Sequence, residues 1–471
     1  MPKADIRGLS VENLAKYWHY CRIYGVRNAT QLAIQRLRKP MGEPPTEVAP
    51  LSLPVVTSSE DLVSPIDKTV SVVIPTKNAG SYIDNLLKKL KAQKGIRRCE
   101  IILVDSGSTD GTVPMAEREK VIVLQITPQE FSHSFSRNAG AERATGDYLL
   151  FMVQDALPLT NLWLWEMVTA LETNKLTAIS CAEYPRSDSD LFYQFLIYDQ
   201  YNSPGVEQDR VLAWDKSCSS YLGLRSNAQV SDIAALIRRD VFENYRYTTD
   251  YAEDLDLGIR LIRDGHRLGF LHSTRVLHSH NRPAYYFLKR GYVDVRFLVE
   301  VFPNFVFPEI ADQSKLYCDI LTMCDRVNQI AREVPNLNLP LPVKELTDHF
   351  LAMLSASQAE PILGGGGLSS EFQNFMQQLS HSCQIANRRS SAKANMILPH
   401  VMNHVERLQK WICAIYDIAD RPLACDIATA LEKIFALHSG THLAYLFLTL
   451  RNRGKLDQPL ITMDRTLTAG V

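Results

Sequence analysis

Apolar strands alternate with amphipathic helices between residues 70 and 153, and this alternation constrains the fold more than any other feature of the sequence. The helix pattern is clear at Ile83, Leu86, Leu87 and Leu90, which fall on one helical face. The predicted strands are residues 70–75, 99–105, 120–126 and 147–153, and the predicted helices are residues 80–93, a helix starting near 109–112, and residues 132–145. Repeated strand–helix units predict an α/β fold with a mostly parallel sheet and helices on both faces.

Polar and acidic residues stand where these strands end. In such sheets ligands bind beyond the carboxyl ends of the strands. A carboxylate at the end of a buried strand needs compensation, because an unpaired buried charge is costly. Mg²⁺ or Mn²⁺ shared with a diphosphate would supply it. The candidate groups at this edge are Pro75, Thr76, Asn78, Asp105, Ser106, Gln154 and Asp155.

Two of these acids have specific expected roles. Asp155 is predicted to hold the divalent cation, and Asp105 to accept a hydrogen bond from the imide N–H of a uracil or thymine ring. The structural alternative is that each acid only caps the turn or helix that follows it.

Two later segments add candidate groups. Glu253 and Asp254 come just before a predicted helix with apolar residues on one side. Acids at a helix N-terminus are favourable by about 0.3–1 kcal/mol, which is one explanation, and a general base is the functional one. His278 and His280 offer imidazole, a reasonable ligand for Mn²⁺, although an ordinary histidine pair is the default interpretation.

Composition narrows the class of protein. The formal net charge of -1 gives no reason to expect nucleic acid as a partner. Nine scattered cysteines without a CxxC pair argue against a disulfide framework and suit a reducing compartment. The N-terminus has no long apolar core, so no signal peptide is expected, and no apolar run reaches the roughly 20 residues that span a bilayer. The expected location is cytoplasmic, at most peripheral on the inner face of a membrane.

The chain outside the alternating region has a different character. Residues 10–38 are predicted to be a basic helix, either packed on the main domain or resting on anionic lipid, and residues 39–66 a Pro-rich linker. After about residue 305 the patterns are helical, with a stripe at Leu316, Ile320, Val327 and Ile330 and a seam at Val401, Val405, Leu408, Ile412 and Ile415. The predicted domains are 1–66, an N-terminal helix and linker, 67–304, the α/β domain, and 305–471, an all-α domain.

Several motifs in one order resemble the family 2 inverting glycosyltransferases, which have the GT-A fold. Residues 71–78 look like the family's first strand and nucleotide loop, residues 104–112 like its second-strand motif, and residues 136–148 like the helix and strand before the DxD site. The resemblance covers roughly residues 68–300. It implies a Rossmann-like, mostly parallel GT-A domain.

Within that family the chain is similar to bacterial rhamnosyltransferase-type members. Residues 131–138 are similar to F-x-H-G-x-T-R-N, with Ser134 and Ser136 as departures. Gln154-Asp155-Ala156 looks like Q-D-A, with Val153 in place of the first acid of DxD. The Q-x-x-R-W motif of processive synthases is missing after His280, which favours addition of one or a few sugars.

The resemblance implies a reaction and a set of roles. The reaction is inverting transfer of a sugar, rhamnose being expected, from a dTDP- or UDP-sugar to a hydroxyl of a glycan or lipid-linked acceptor. Asp254 is the expected base, and Asp155 with His278 the expected ligands of Mg²⁺ or Mn²⁺. The expected donor-binding residues are Pro75, Thr76, Asn78, Asp105, Ser106, Arg137, Gln154 and Glu253. For Arg137 and Arg260 the alternatives are support of the phosphate, support of the acid geometry, or a plain structural ion pair. Residues 187–230, with Trp214, are expected on the acceptor side.

Two rival functions stay open at this point. One is a non-catalytic scaffold or nucleotide-sugar-binding protein on a degenerate GT-A fold, which the missing acid at Val153 motivates. The other is a nucleotidyltransferase, to whose Gly-rich basic loop residues 76–80 are a poor match.

Overall fold

The structure is a computed structural model that describes residues 26, 30, 64–201, 208–249, 251–302, 305–356, 370–382 and 394–469. Three segments lie outside the described residues: most of the predicted helix 10–38, the linker up to residue 63, and the glycines 364–367. The described chain divides into a sheet unit, residues 64–189 and 197–280, and a helical unit, Asp190–Leu196 and the residues from Asn281 onward. From the sequence, the boundary between the α/β domain and the all-α domain was predicted at residue 304.

The sheet unit contains nine strands and most of eight helices. The strands are β1 (Ile66–Thr76), β2 (Ile96–Asp105), β3 (Ile122–Gln125), β4 (Tyr148–Met152), β5 (Leu157–Pro158), β6 (Ala178–Tyr184), β7 (Arg210–Leu212), β8 (Ala234–Arg238) and β9 (Leu268–Leu277). The helices are α1 (Gly80–Lys91), α2 (Thr112–Arg118), α3 (His133–Arg143), α4 (Trp163–Thr173), α5 (Leu191–Tyr201), α6 (Tyr221–Asn227), α7 (Arg239–Tyr245) and α8 (Glu253–Arg263).

The strand order is β3-β2-β1-β4-β8-β6-β9-β5, with β7 also paired to β9. Strands β1 to β4, β6 and β9 run in one direction, and β5, β7 and β8 run against them. The prediction of an α/β fold with a mostly parallel sheet is confirmed. Because β8 is reversed, its first residue lies at the same edge of the sheet as the last residues of β4 and β6.

Both faces of the central strands are buried, as expected for parallel strands that read as continuous apolar runs. Every residue of β4 is buried. One face packs on Ile83 and Leu87 of α1 and on Trp163 of α4. On the other face α3 approaches closely through Gly140, where an added Cβ would lie 2.3 Å from Cγ1 of Val73.

The helical unit is built around one long helix. Its elements are α9 (Ala284–Val301), α10 (Gln313–Glu333), β10 (Leu341–Pro342), α11 (Val343–Ser355), α12 (Ser370–Ser382), α13 (Leu398–Ile415), β11 (Ile418–Ala419), α14 (Arg421–Asn452) and α15 (Gln458–Thr468). Helices α9 and α14 cross at glycines. A Cβ on Gly291 would lie 2.1 Å from the Leu437 carbonyl oxygen, and one on Gly440 would lie 1.8 Å from that of Leu288.

The apolar stripes predicted for this region are confirmed with one exception. The four stripe residues of α10 and the first four seam residues of α13 are buried. Ile415 was predicted to continue the seam, but it is 54% exposed because α13 ends there. Among the described residues, every helix is too short or too polar to cross a bilayer.

Candidate active site

The first two strands end side by side. In the parallel register of β1 and β2, Pro75 lies opposite Val104, and the last residues, Thr76 and Asp105, lie opposite each other. The backbone N–H of Ser106 donates to the carbonyl of Thr76 at 3.0 Å. Asn78, with φ of 48°, donates its N–H to the Ser108 hydroxyl at 2.8 Å. The loop after β1 and the turn after β2 therefore form one connected surface.

The carboxylate of Asp105 is engaged by its own turn. Its Oδ2 accepts hydrogen bonds from the backbone of Gly107 at 3.1 Å and of Ser108 at 3.0 Å, and its Oδ1 accepts from the Ser108 hydroxyl at 2.5 Å. Asp105 is 1% exposed. This is the turn-capping arrangement, and it occupies three of about four acceptor sites of a carboxylate. The base-binding role of Asp105 stays a prediction.

Gln154 joins the loop after β1 to the loop after β4. Its Oε1 accepts from the Lys77 backbone at 2.9 Å, and its Nε2 donates to the Lys77 carbonyl at 3.2 Å. This reciprocal pair fixes the distance between residues 76–78 and Asp155, which follows Gln154 directly. Gln154 therefore organises the loops, and contact with a donor stays a prediction for it.

Asp155, His278 and His280 form one cluster. One possible ligand atom from each residue lies within 4.8 Å of the others. Nε2 of His278 is 3.7 Å from Oδ1 of Asp155, and Nδ1 of His280 is 3.3 Å from Oδ2 of the same carboxylate. The predicted pair of Asp155 and His278 is thus brought together, and His280 joins it, although the sequence had favoured His278 over His280.

Glu183 orients His278 from behind. Its Oε2 is 2.5 Å from Nδ1 of His278, and both side chains are buried. Burial lowers the pKa of His278, but the hydrogen bond and charge of Glu183, with Asp155 and Asp232, outweigh it and raise that pKa overall. A carboxylate on the far nitrogen of a ligating histidine fixes its orientation and increases its basicity.

The cluster is suited to a divalent cation. A carboxylate and two imidazoles, with an acid behind one imidazole, are donors that Mn²⁺ accepts and that Mg²⁺ accepts less readily. Val153 stands in place of the first DxD acid, and His278 and His280 offer further possible donor atoms beside Asp155.

Arg186 lies beside this cluster and was not anticipated from the sequence. Its guanidinium donates to the Asp155 carbonyl and lies 4.9 Å from the ring centroid of Tyr82. Its Nε is buried and has no hydrogen-bond partner among the described residues. Arg186 therefore brings positive charge next to Asp155.

A second group of charges surrounds Asp254. Arg137, 1% exposed, contacts Glu253 through Nη1 and Oδ2 of Asp232 through Nη2 at 3.0 Å. Oδ1 of Asp254 accepts from the Leu255 backbone at 2.7 Å, and its Oδ2 accepts from the Asp232 backbone at 3.3 Å. Arg137 and Glu253 are thus paired with each other, which suits positioning of Asp254; donor contact stays a prediction for both.

One arginine faces three acids in this group, and the excess negative charge affects their protonation. Burial and then the charge of Asp232 raise the pKa of Asp254 to about 6. Burial also raises the pKa of Glu253; Arg137 opposes this rise, and the charges of Asp232 and Asp254 add to it. Asp254 is half-buried at the start of α8, so its carboxylate combines partial access with a raised basicity.

Asp232 connects the two groups. Its charge raises the pKa of both His278 and Asp254, which places it within electrostatic reach of each. It precedes β8, whose reversed direction brings the residue to the edge where β4, β6 and β9 end. Sequence reasoning missed Asp232 and Glu183. The signals available in the sequence were that Asp232 comes just before the apolar strand β8 and that Glu183 lies near the end of the apolar strand β6.

The predicted acceptor side is described in part. Trp214 follows β7 and is 47% exposed. Residues 202–207 lie outside the described chain, and residues 190–196 belong to the helical unit. The assignment of residues 187–230 to the acceptor side stays a prediction.

Part of the chain is similar in sequence to known proteins. A model of the family described as Glycosyl transferase family 2 matches residues 71–246. The O-antigen chain rhamnosyltransferase RfbN of Salmonella typhimurium is 28% identical over 217 residues, 45% of this chain and 67% of that protein. The O-antigen chain rhamnosyltransferase WbaN of Salmonella anatum is 27% identical over 215 residues, 45% of this chain and 66% of that protein. The matched part spans about two thirds of these relatives.

Among solved structures, the mannosyltransferase PcManGT from Pyrobaculum calidifontis, in complex with GDP-Man and Mn²⁺, aligns with 97% of this chain and 94% of its own. Its sequence identity to this chain is 16%, and the TM-score is 0.39.

Proposed function

Residues 71–246 form a glycosyltransferase family 2 domain, and on this premise we propose that the chain transfers a sugar from a nucleotide diphosphate donor to a hydroxyl group of a glycan or lipid-linked acceptor. Rhamnose is the proposed sugar, since both Salmonella relatives are named rhamnosyltransferases. The donor nucleotide is dTDP or UDP. An acceptor linked to lipid would place the chain at the inner face of a membrane.

One observation carries the proposal. The Asp155–His278–His280 cluster and the Asp254 carboxylate occur at the same edge of the sheet, with Asp232 in electrostatic reach of both. Sugar transfer needs a group that neutralises the leaving diphosphate and a base at the attacking hydroxyl. Both groups must lie close to the same anomeric carbon, where one bond breaks and the other forms.

The donor side is assigned to the cluster and its surroundings. Asp155, His278 and His280 would hold Mn²⁺ or Mg²⁺, which when bound neutralises charge on the departing diphosphate. Glu183 keeps Nε2 of His278 directed toward Asp155. Arg186 adds a positive charge that can contact the same phosphates. The turns after β1 and β2, joined through Asn78 and Ser108, would receive the nucleoside.

The acceptor side is assigned to Asp254. At pH 7 a carboxylate with a pKa of about 6 is mostly ionised, yet it is a stronger base than an ordinary aspartate. It takes the proton of the attacking hydroxyl as the oxygen bonds to the anomeric carbon and the bond to the diphosphate breaks. Displacement in one step inverts that carbon. Arg137 and Glu253 hold the start of α8 in place through their buried ion pair.

The proposal is tested with a panel of dTDP- and UDP-sugars in the presence of Mn²⁺, measuring nucleotide release and product anomer by NMR. We expect release above background from dTDP-rhamnose and an inverted product. Asp254→Asn should abolish transfer and leave nucleotide binding within about threefold. Asp240→Asn, an exposed acid in the first turn of α7, is the matched control and should retain activity.

The alternative function is a non-catalytic nucleotide-sugar-binding or scaffold protein. It would be favoured if the full chain bound a donor but released nucleotide from none, with a range of glycan and lipid-linked acceptors present. Unchanged activity in Asp254→Asn would contradict the assigned base even if transfer itself were observed.

A further inference from the structure

Asp232 is the partly open member of the ion group beside Asp254. Its side chain is 36% exposed, whereas those of Arg137 and Glu253 are 1% and 5% exposed. Its backbone N–H donates to Oδ2 of Asp254 at 3.3 Å, which places the residue directly beside the proposed base. A ligand that reaches Asp254 can therefore also reach the carboxylate of Asp232.

The strand register brings Asp232 close to the candidate cation cluster as well. Strand β8 runs antiparallel to β4. Just beyond the paired ends of these strands, the backbone N–H of Val153 donates to the Ile233 carbonyl at 3.3 Å. The next residues along the two segments are Asp232 and Gln154, and Gln154 directly precedes Asp155. Asp232 thus has the base on one side and the cluster on the other.

Only one oxygen of the Asp232 carboxylate is engaged within the described part of the chain. Oδ2 accepts a hydrogen bond from Nη2 of Arg137 at 3.0 Å, and Oδ1 accepts none from the described residues. A carboxylate offers about four acceptor sites. Because Oδ2 faces the buried guanidinium, Oδ1 is the oxygen left for a further partner. Arg137 also fixes the orientation of the carboxylate, so that this acceptor is held in place before a ligand binds.

The surrounding charges determine which partner suits Oδ1. A diphosphate is anionic and would be repelled by the carboxylate. The possible cation ligands that lie within 4.8 Å of one another come from Asp155, His278 and His280, and Asp232 is not in that group. A hydroxyl group is a neutral donor, and its hydrogen bond to an ionised acceptor is about twice as strong as one between neutral groups. A sugar hydroxyl is therefore the partner that fits.

We propose that Oδ1 of Asp232 accepts a hydrogen bond from a ring hydroxyl of the transferred sugar, so that Asp232 helps to select the donor. The inference rests on the proposed function. With the diphosphate at Asp155 and the attacking hydroxyl at Asp254, the sugar ring lies between them, beside Asp232. A site built to bond a substrate hydroxyl discriminates against a sugar that lacks it, because the protein acceptor is then left without its partner.

The test compares the affinities of dTDP-rhamnose and dTDP for the full chain in Mn²⁺ by titration calorimetry. In Asp232→Ala the affinity for dTDP-rhamnose should fall about 10–100-fold, as expected for loss of a hydrogen bond to a charged group. The affinity for dTDP, which has no sugar at this position, should change by less than about threefold. If Asp232 serves only as an ion-pair partner of Arg137, both affinities change equally or not at all, and either result would overturn the proposal.

A second measurement needs no substitution and so guards against a folding defect in Asp232→Ala. Analogues of dTDP-rhamnose that each lack one ring hydroxyl are titrated into the parent chain, and at least one should bind at least about tenfold more weakly than dTDP-rhamnose. Asp232→Asn, which keeps an oxygen for Arg137, should bind that analogue and dTDP-rhamnose about equally. Equal binding of all analogues by the parent, or the same loss in both chains, would contradict the contact.

Glu142→Ala is the matched control, because it removes an exposed acid of the same unit that pairs with Arg246 at 2.6 Å. It should leave the affinities for dTDP and dTDP-rhamnose unchanged. A parent chain that binds neither compound would overturn the proposed donor together with this inference. A parent chain that binds both, with equal losses in Asp232→Ala, would overturn only the contact at Asp232.

Discussion

Replacing Asp254 by asparagine should remove sugar transfer and also stabilise the folded chain at neutral pH. The half-buried carboxylate lies beside Asp232, and its pKa rises from 3.8 to about 6. A carboxylate shifted in this direction binds its proton more tightly in the folded state, so its ionisation opposes folding. At pH 7 the cost is roughly 2–3 kcal/mol, since each unit of pKa corresponds to about 1.4 kcal/mol.

The neutral amide avoids that cost but loses one acceptor. Oδ1 can still accept from the Leu255 backbone, whereas an NH₂ group in place of Oδ2 no longer accepts from the Asp232 backbone. A lost hydrogen bond costs about 1 kcal/mol. Asp254→Asn should therefore gain roughly 1–2 kcal/mol of unfolding free energy at pH 7. Because the cost of ionisation falls away between pH 6 and pH 4, the gain should shrink to zero near pH 4.5, and below that pH the lost hydrogen bond should leave the variant slightly less stable than the parent.

The assay is urea denaturation of both chains at pH 7, 5.5 and 4.5, with Asp240→Asn, at an exposed acid of α7, as the control variant. Transfer activity is measured on the same samples. A variant that is less stable than the parent by the same amount at every pH would refute the raised pKa of Asp254. A stable variant that still transfers sugar would refute its role as base.

Three further predictions concern single side chains. Glu183→Gln should weaken Mn²⁺ binding by about 10–100-fold, because His278 loses its orienting carboxylate. Titration calorimetry measures this affinity, and an unchanged value would contradict the prediction. Arg186→Gln should raise the KM for the donor severalfold and leave the KM for the acceptor unchanged, as measured by steady-state kinetics with each substrate varied in turn. An unchanged donor KM would indicate that Arg186 only holds the loop at Asp155. Gly440→Ala should destabilise the helical unit by at least about 2 kcal/mol, since the added Cβ would meet the Leu288 carbonyl at 1.8 Å, and a melting curve like that of the parent would contradict it.

The sequence predicted the elements of the sheet unit well because their signals are local. Strand β4 reads as a continuous apolar run, and α1 carries its apolar residues on one face. The position of the site also followed from local pattern, since the ends of parallel strands share an edge. In α13 the local pattern gave a wrong prediction for Ile415: its spacing continues the buried seam, but it is the last residue of the helix and is exposed.

The charge environment of the site could not be predicted, because it depends on the register of distant segments. The sequence left open whether Arg137 contacts the donor, supports the acids or forms a structural ion pair. The fold places it against Glu253 and Asp232, which lie about a hundred positions away in the chain. Only this meeting shows that one arginine faces three acids. Arg137 contacts two of those acids directly, and burial, followed by the charge of Asp232, raises the pKa of Asp254 to about 6. The E-D motif shows which acids are candidates, but it cannot show that the reversed strand β8 delivers Asp232 to the same edge, where the charge of Asp232 adds to burial in raising the pKa of Asp254.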